Sequence, residues 1–301
     1  MILSNPIVSV IMPAFNAENT IVSSIKSILN QTYNNIELII VNDCSTDNTL
    51  ERITSIKDNR VKVINNDYNI GISKSLNIGI LASSGEYIAR IDSDDIAYLN
   101  RIKIQINSIY KFGVDVLGGQ ISTFGKFINP KYSYPISNKE IIYYSLLGNP
   151  MAHPTILAKA SFFRENLYNP DIKYLGFEDY ELWTRSISNN YTFLNLSDTI
   201  LAYRLSSKQL SANQQLDFKK RYFEFKINLL KVLSNNLDDE YISLYRKLLI
   251  EKDKNSIIEI IEYYKIHNII FNKKLQTQIK LILNDECNIT SSKIDKMKLF
   301  I

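Results

Sequence analysis

The sequence predicts an α/β domain built on a largely parallel sheet, followed by an all-helical C-terminal extension. Three observations predict it. Short β-branched runs alternate with segments of helical period over the first hundred residues, a polar loop follows each run, and beyond about residue 215 only helical periodicity remains. The boundary divides the chain into residues 1–215 and 216–301.

The strands and helices follow in order. Residues 7–12, Ile-Val-Ser-Val-Ile-Met, predict a buried strand that stops at Pro13, with Ala-Phe-Asn-Ala-Glu as the loop after it. Ile21, Ile25, Ile28 and Leu29 recur at helical spacing after Asn19 or Thr20 as a cap. Glu37 to Val41 is a second buried strand, ending in Asn42-Asp43-Cys44-Ser45-Thr46-Asp47, and Thr49 to Ile56 can form the next helix. A third strand fits Val61 to Ile64. Asn69-Ile70-Gly71 reads as a turn leading into a helix to about Leu81, and Tyr87 to Ile91 is a fourth strand. Parallel strands in this order hold ligands outside their carboxyl ends. The loops at 13–18 and 42–47 and the run Asp92-Ser93-Asp94-Asp95 all fall at such ends.

Three carboxylates within four residues repel one another unless a cation or a hydrogen-bond network compensates them. Oxygen-only ligands suit Mg²⁺ or Mn²⁺, ions that bridge to phosphates; a solvated Asp-rich turn is the alternative. A calcium loop of the EF-hand type is disfavoured, because Ala97 stands where its glycine is needed. Farther along, Gly176 breaks the chain before Glu178-Asp179, which predicts two carboxylates at the start of a helix. Such a position serves either helix capping or general-base work, a contribution of roughly 10² to 10⁴-fold.

Composition narrows the class. At 45% hydrophobic and 22% charged residues, with no apolar run near the roughly 20 residues of a membrane span, a transmembrane protein is not expected. No secretory signal is visible at the N-terminus, so a cytoplasmic location is expected. Cys44 and Cys287 are too few for a disulfide scaffold or a zinc site. The net charge of +4 lies in the tail: residues 1–215 hold 19 basic and 19 acidic side chains, residues 216–301 hold 16 and 12. No nucleic-acid partner is expected.

Val-Ser-Val-Ile-Met-Pro-Ala-Phe-Asn, Ile-Ile-Val-Asn-Asp-Cys-Ser-Thr-Asp, Asn-Ile-Gly with Leu-Asn-Ile-Gly-Ile, and Ala-Arg-Ile-Asp-Ser-Asp-Asp, in this order, resemble the family 2 glycosyltransferases of the GT-A fold, in their bacterial cell-surface polysaccharide branch. The match covers roughly residues 6–205. It implies a Rossmann-like mixed sheet flanked by helices, a UDP-sugar donor, a Mn²⁺ or Mg²⁺ cofactor and a glycan or lipid-linked glycan acceptor. The reaction implied is inverting hexosyl or N-acetylhexosaminyl transfer in lipopolysaccharide, capsule or related synthesis.

By this resemblance the loop with Pro13, Phe15, Asn16 and Glu18 holds the uridine together with Asp43, and Asn69 and Gly71 also belong to the donor site. Asp92, Ser93 and Asp94 form the Asp-X-Asp motif, with Asp94 on the metal, Asp92 on the ribose or sugar or also on the metal, and Asp95 supporting the donor sugar. Arg90 and Arg101 match basic positions of the branch or form structural salt bridges. Glu178-Asp179 resembles the family's Glu-Asp motif, which makes Asp179 the expected base and Glu178 its runner-up. His153, in His-Pro-Thr, and Trp183 are assigned to the acceptor side, with a packed or capping role as the alternative for His153 and a core role for Trp183. Arg204 could pair with phosphate; Ser206 stands where the family often has a metal-side histidine, a departure that leaves the metal to Asp94, the diphosphate and water.

Two rivals remain at this point. A nucleotidyltransferase on a similar fold would need a Gly-rich, basic triphosphate loop, and residues 13–18 contain no Gly, Lys or Arg. A non-catalytic nucleotide- or glycan-binding protein would lack a working Asp179. Past residue 215, stripes at Phe218, Tyr222, Phe225, Leu229 and Val232, at Tyr241, Leu244, Tyr245 and Leu248, at Ile257, Ile260, Ile261 and Tyr264, and at Leu275, Ile279 and Ile282 predict helices. They pack on the domain, dimerise, or meet the inner face of the cytoplasmic membrane peripherally through Lys-rich faces that include Lys293, Lys296 and Lys298.

Overall fold

The computed structural model describes residues 5–125, 133–205, 216–251 and 256–267. The expected strands and helices form as β1 (Val8–Ala14), α1 (Ile21–Leu29), β2 (Ile36–Asn42), α2 (Thr49–Thr54), β3 (Val61–Asn65), α3 (Ile72–Leu81) and β4 (Tyr87–Arg90). After the aspartates come β5 (Ile96–Ala97), α4 (Arg101–Phe112), β6 (Val116–Gly125), α5 (Asn138–Tyr144), β7 (Leu157–Lys159), α6 (Ala160–Glu165), α7 (Glu178–Ser188) and β8 (Phe193–Leu205). One eight-stranded sheet results, in the order β3-β2-β1-β4-β7-β6-β8-β5. Its β3-β2-β1-β4 half is parallel, whereas β7 runs antiparallel to both β4 and β6, and β5 antiparallel to β8.

The central strands are apolar on both faces because helices cover both. Val8, Val10 and Met12 join Leu38, Ile40, Ile25 and Ile106 in one core, while Ile11, Ile39, Val41 and Ile88 join Leu76, Leu182 and Trp183 in the other.

Pro13 does not end β1, which continues to Ala14. The Ile11 carbonyl accepts from Ile91 N and the Ala14 carbonyl from Asp43 N. Alternation therefore turns the Pro13 nitrogen to the β4 side, beyond Arg90, the last β4 residue paired to β1. No ladder donor is lost there, which is the condition under which a strand accepts proline.

Three helices follow the sheet domain: α8 (Leu216–Val232), α9 (Asp239–Leu249) and α10 (Ser256–Ile266). Phe225, Leu229, Tyr241, Tyr245, Leu248 and Ile260 are buried in the same cluster as Phe177, Tyr180 and Trp183, so the helices extend the core on the α7 side of the sheet. Gly176, at φ +91°, turns the chain into α7, and a Cβ there would lie 2.9 Å from the Phe218 ring of α8. Among the described residues no helix is long and apolar enough to cross a membrane. Ser206, the fourth stripe, Cys287 and the terminal lysines lie outside the described residues.

Candidate active site

Three loops at the carboxyl ends of β1, β2 and β4 build one rim. The first two are stitched together: Asn16 Oδ1 accepts from Thr46 N at 2.8 Å, and Glu18 Oε2 accepts from Asn48 N and Nδ2 at 3.1 and 2.9 Å. Asn16 adopts a left-handed φ of 49°, which Asn tolerates. Asn16 and Glu18 thus shape the loop, Pro13 is buried in β1, and Phe15 is exposed beside them. Pro13 is the last residue but one of β1, at the base of this loop.

Asp43 is buried and already serves as a hub. Its carboxylate accepts from Ile70 N and Gly71 N at 2.9 Å each and from Asn66 Nδ2 at 2.8 Å. Asn69 Nδ2 reaches the Asp43 carbonyl at 3.4 Å. Gly71, at φ +86°, supplies the conformation a side chain would resist. Three of about four acceptor positions on Asp43 are thus taken by the β3–α3 turn.

At the end of β4, Arg90 shares the face of Ile88 and is almost fully buried. Its guanidinium clamps Asp92 with both terminal nitrogens, Nη1 lying 2.8 Å from Oδ2 and Nη2 bonding Oδ1. Arg90 therefore acts through Asp92, and Asp92 has both oxygens engaged. Arg101, wholly buried at the start of α4, donates to the Arg90 carbonyl at 2.7 Å and to Gln105 at 3.1 Å; burial lowers its pKa to about 9. Carboxylate oxygens of Asp92, Asp94 and Asp95 lie within 4.8 Å of one another. Burial, then the charge of Asp92, pushes Asp94 up to about 6, and the same causes raise Asp95 well above the carboxylate range. Asp95 Oδ1 accepts from Arg204 N at 2.8 Å, while Oδ2 is buried with no hydrogen-bond partner. Arg204 arrives here because β5 pairs with β8; its Nε donates to the Asp94 carbonyl at 2.8 Å and its guanidinium lies over Phe124. Ser93 sits half-buried between the motif carboxylates.

Burial and mutual repulsion keep Asp94 and Asp95 above the carboxylate range despite the charges of Arg90 and Arg204, and the cluster's donors are oxygens only. The residues fit a divalent cation, with Asp94 as the ligand least committed elsewhere.

A second pair of carboxylates begins α7. Glu178 and Asp179 are both buried, and their ligand atoms lie within 4.8 Å of those of His153. Glu178 accepts from Gly176 N at 2.9 Å; burial, then the neighbouring Asp179, raises it to about 7. Burial also raises Asp179, opposed by Asn149, whose Nδ2 donates to Oδ2 at 2.6 Å, by Tyr180 N on Oδ1 at 2.8 Å, and by the charge of Arg90. His153 Nε2 meets the Tyr168 hydroxyl at 2.8 Å and its Nδ1 stands 3.9 Å from Asp179 Oδ2. Burial, then Arg90, holds His153 neutral. Trp183 is fully buried, edge-on to His153 and Phe193, in the core position given as its alternative role, and it backs His153.

Two participants were not singled out in the sequence, Asn149 and Tyr168. Tyr168 is held by reciprocal bonds with Asn77 of α3, Nδ2 to the Tyr168 carbonyl at 2.8 Å and Tyr168 N to Oδ1 at 2.9 Å. Both contacts link residues far apart in sequence, and only the Asn-Pro turn at 149–150 carried a local signal.

A mixed sheet with one acidic cluster beyond a central strand and a second at a helix start is the plan of the GT-A sugar transferases. The profile of glycosyl transferase family 2 matches residues 9–166, and the chain belongs to that family. It is 31% identical to an uncharacterized glycosyltransferase of Haemophilus influenzae, over 91% of this chain and 95% of that one. It is 34% identical to the UDP-Glc:alpha-D-GlcNAc-diphosphoundecaprenol beta-1,3-glucosyltransferase WfgD of Escherichia coli, over 72% and 84% of the two chains. Among solved structures, S. aureus TarS 1-349 in complex with UDP-GlcNAc superposes with a TM-score of 0.64 at 19% identity, covering 96% of this chain and 83% of that one, a likeness of fold. The chain is a glycosyltransferase.

Proposed function

We propose that this enzyme moves a hexosyl or N-acetylhexosaminyl group from a UDP-sugar to a hydroxyl of a lipid-linked glycan, with inversion, in bacterial surface-glycan synthesis. The observation that carries the reading is the pair of acidic clusters acting on one buried guanidinium: Arg90 holds Asp92 and feels the charge of Asp95 and Asp179 together. The relative WfgD, named for a UDP-Glc donor and a diphosphoundecaprenol-linked GlcNAc, supports the donor and acceptor classes.

In this reading Phe15, Asp43 and the turn at Asn69–Gly71 take the uridine, and Asp92, Ser93, Asp95 and Arg204 surround the diphosphate and sugar. Mn²⁺ or Mg²⁺, held by Asp94 with Asp92 beside it, supplies neutralisation of the diphosphate charge when bound. Asp179 accepts the proton of the acceptor hydroxyl, with Glu178 beside it and His153 on the acceptor side. The hydroxyl oxygen forms its bond to the anomeric carbon as the bond from that carbon to the diphosphate oxygen breaks, and the electron pair leaves with UDP. One displacement at that carbon inverts it.

The test is UDP release from UDP-glucose and UDP-GlcNAc with a synthetic GlcNAc-diphosphoryl lipid, with Mn²⁺, Mg²⁺ or chelator, for wild type, Asp94→Ala and Asp179→Asn. Loss of turnover in both variants, with UDP binding kept in Asp179→Asn, is expected. Metal-independent turnover that neither substitution changes refutes the reading.

A further inference from the structure

Asp179 is a buried carboxylate in a crowded neighbourhood. Glu178 adjoins it on α7, His153 approaches from the turn before β7, Tyr168 lies behind His153 on the loop after α6, and Arg90 faces it from β4. The side chain that hydrogen-bonds its carboxylate is none of these. His153 is neutral and too distant at 3.9 Å, with Nε2 committed to Tyr168. The donor is Asn149, 30 positions away in sequence, at 2.6 Å.

Asn149 is built to donate in that direction. Met151 N binds its Oδ1 at 3.3 Å, which fixes the amide with Nδ2 toward Asp179. The segment around it is pinned from two other elements. Lys226 of α8, almost wholly buried, donates to the Leu147 carbonyl at 3.3 Å, and Asn195 of β8 donates to the Pro150 carbonyl at 3.1 Å. With Asn149 on Oδ2 and Tyr180 N on Oδ1, the carboxylate has one orientation and each oxygen keeps an acceptor position for an incoming hydroxyl.

We infer that Asn149 is a positioning residue for the reaction: its side-chain amide holds Asp179 in the ionised, oriented form that receives the acceptor's proton. The inference rests on the assignment of Asp179 as base. A hydrogen bond to a charged group favours that form by about 1.5–3 kcal/mol, which corresponds to about one to two pH units.

The experiment follows Asp179 without and with substrate. Carboxyl ¹³C NMR titration of the full chain, with the Asp179 signal assigned by its absence in Asp179→Asn, gives the ionisation directly. The pH profile of kcat/KM with UDP-glucose and the GlcNAc-diphosphoryl lipid gives its use in turnover. Asn149→Leu is expected to raise both the NMR midpoint and the acid limb by about one to two pH units, with KM for the UDP-sugar unchanged. Asn149→Ser, retaining a donor, is expected to shift both less and is the variant to use should Asn149→Leu not fold. An NMR midpoint unmoved in the variants overturns the role of Asn149 and leaves the base assignment standing. A midpoint that moves while the acid limb stays fixed, or full turnover by Asp179→Asn, overturns the base assignment itself and this inference with it.

Discussion

Replacing Arg90 tests how the two acidic clusters coexist. Arg90 is 3% exposed and the Asp92 side chain 24%, so the pair is neither a surface ion pair nor fully dry. Two charge-assisted hydrogen bonds join them. At about 1.5–3 kcal/mol each, discounted for the half-wet Asp92 side, their loss in Arg90→Met comes to about 3 kcal/mol. Arg90→Lys keeps the charge but offers one ammonium where a fork was matched to two oxygens, and about half that cost is expected. Urea unfolding of both variants and of Asp92→Asn, combined in a double-mutant cycle, isolates the pair. The wild-type chain should also bind UDP with Mn²⁺ more tightly than Arg90→Met, because an unclamped Asp92 no longer holds its place beside Asp94. Arg90→Met within 1 kcal/mol of wild type, or a cycle with no coupling, would refute the view that this guanidinium is what makes the acidic rim tolerable.

Other substitutions address separate parts of the molecule. Glu37 is buried, yet hydrogen bonds from Lys62, Ser9 and Ser84 outweigh that burial and lower its pKa to about 2. Its contribution is present above the unfolded value of about 4.5 and is lost as pH falls toward 2, so Glu37→Gln should cost about 2 kcal/mol at pH 7 and much less at pH 2.5, measured by thermal melting. Glu178 has the opposite sign: raised to about 7, it makes the native state bind the extra proton, and stability falls as pH rises from about 4.5 to 7. Glu178→Gln should therefore melt higher than wild type at pH 8 and equally at pH 4. Gly176→Ala combines a left-handed backbone with a Cβ 2.9 Å from Phe218, so it should lose about 1–3 kcal/mol in urea unfolding, and Phe218→Ala in the same chain should return part of it.

The strand and helix sequence to Arg90 was legible because each parallel strand is a short apolar run and each helix a 3.6-residue stripe, signals that need no partner. The loop motifs were legible for a related reason: they sit at strand ends, where the chain's own periodicity stops. What the sequence did not carry was who bonds to whom. Nothing in the run around Asp43 announced that its carboxylate also braces Ile70 and Gly71, and the one-turn spacing of Trp183 from Asp179 did not show that the indole lies in the core. Asn149 and Tyr168 gave no periodic signal, since their partners come from α7, α3 and the turn before β7. Pro13 was misjudged because a proline's cost depends on whether a neighbouring strand is still alongside, which is a fact of sheet register.

That register also acts as a ruler. β1 and β2 run to Ala14 and Asn42, whereas β4 leaves the ladder at Arg90, opposite Ile11. Three further residues at about 3.3 Å each set a step of about 10 Å in the sheet edge between Asp43 and the point where the aspartates turn away. A slip of β4 by one residue would carry the cluster about 3.3 Å along the rim and swing Arg90 to the opposite face of the sheet, away from α7. The place of the Asp92–Asp95 cluster along the rim, and the face on which Arg90 meets it, are thus set by hydrogen-bond pairing in the sheet.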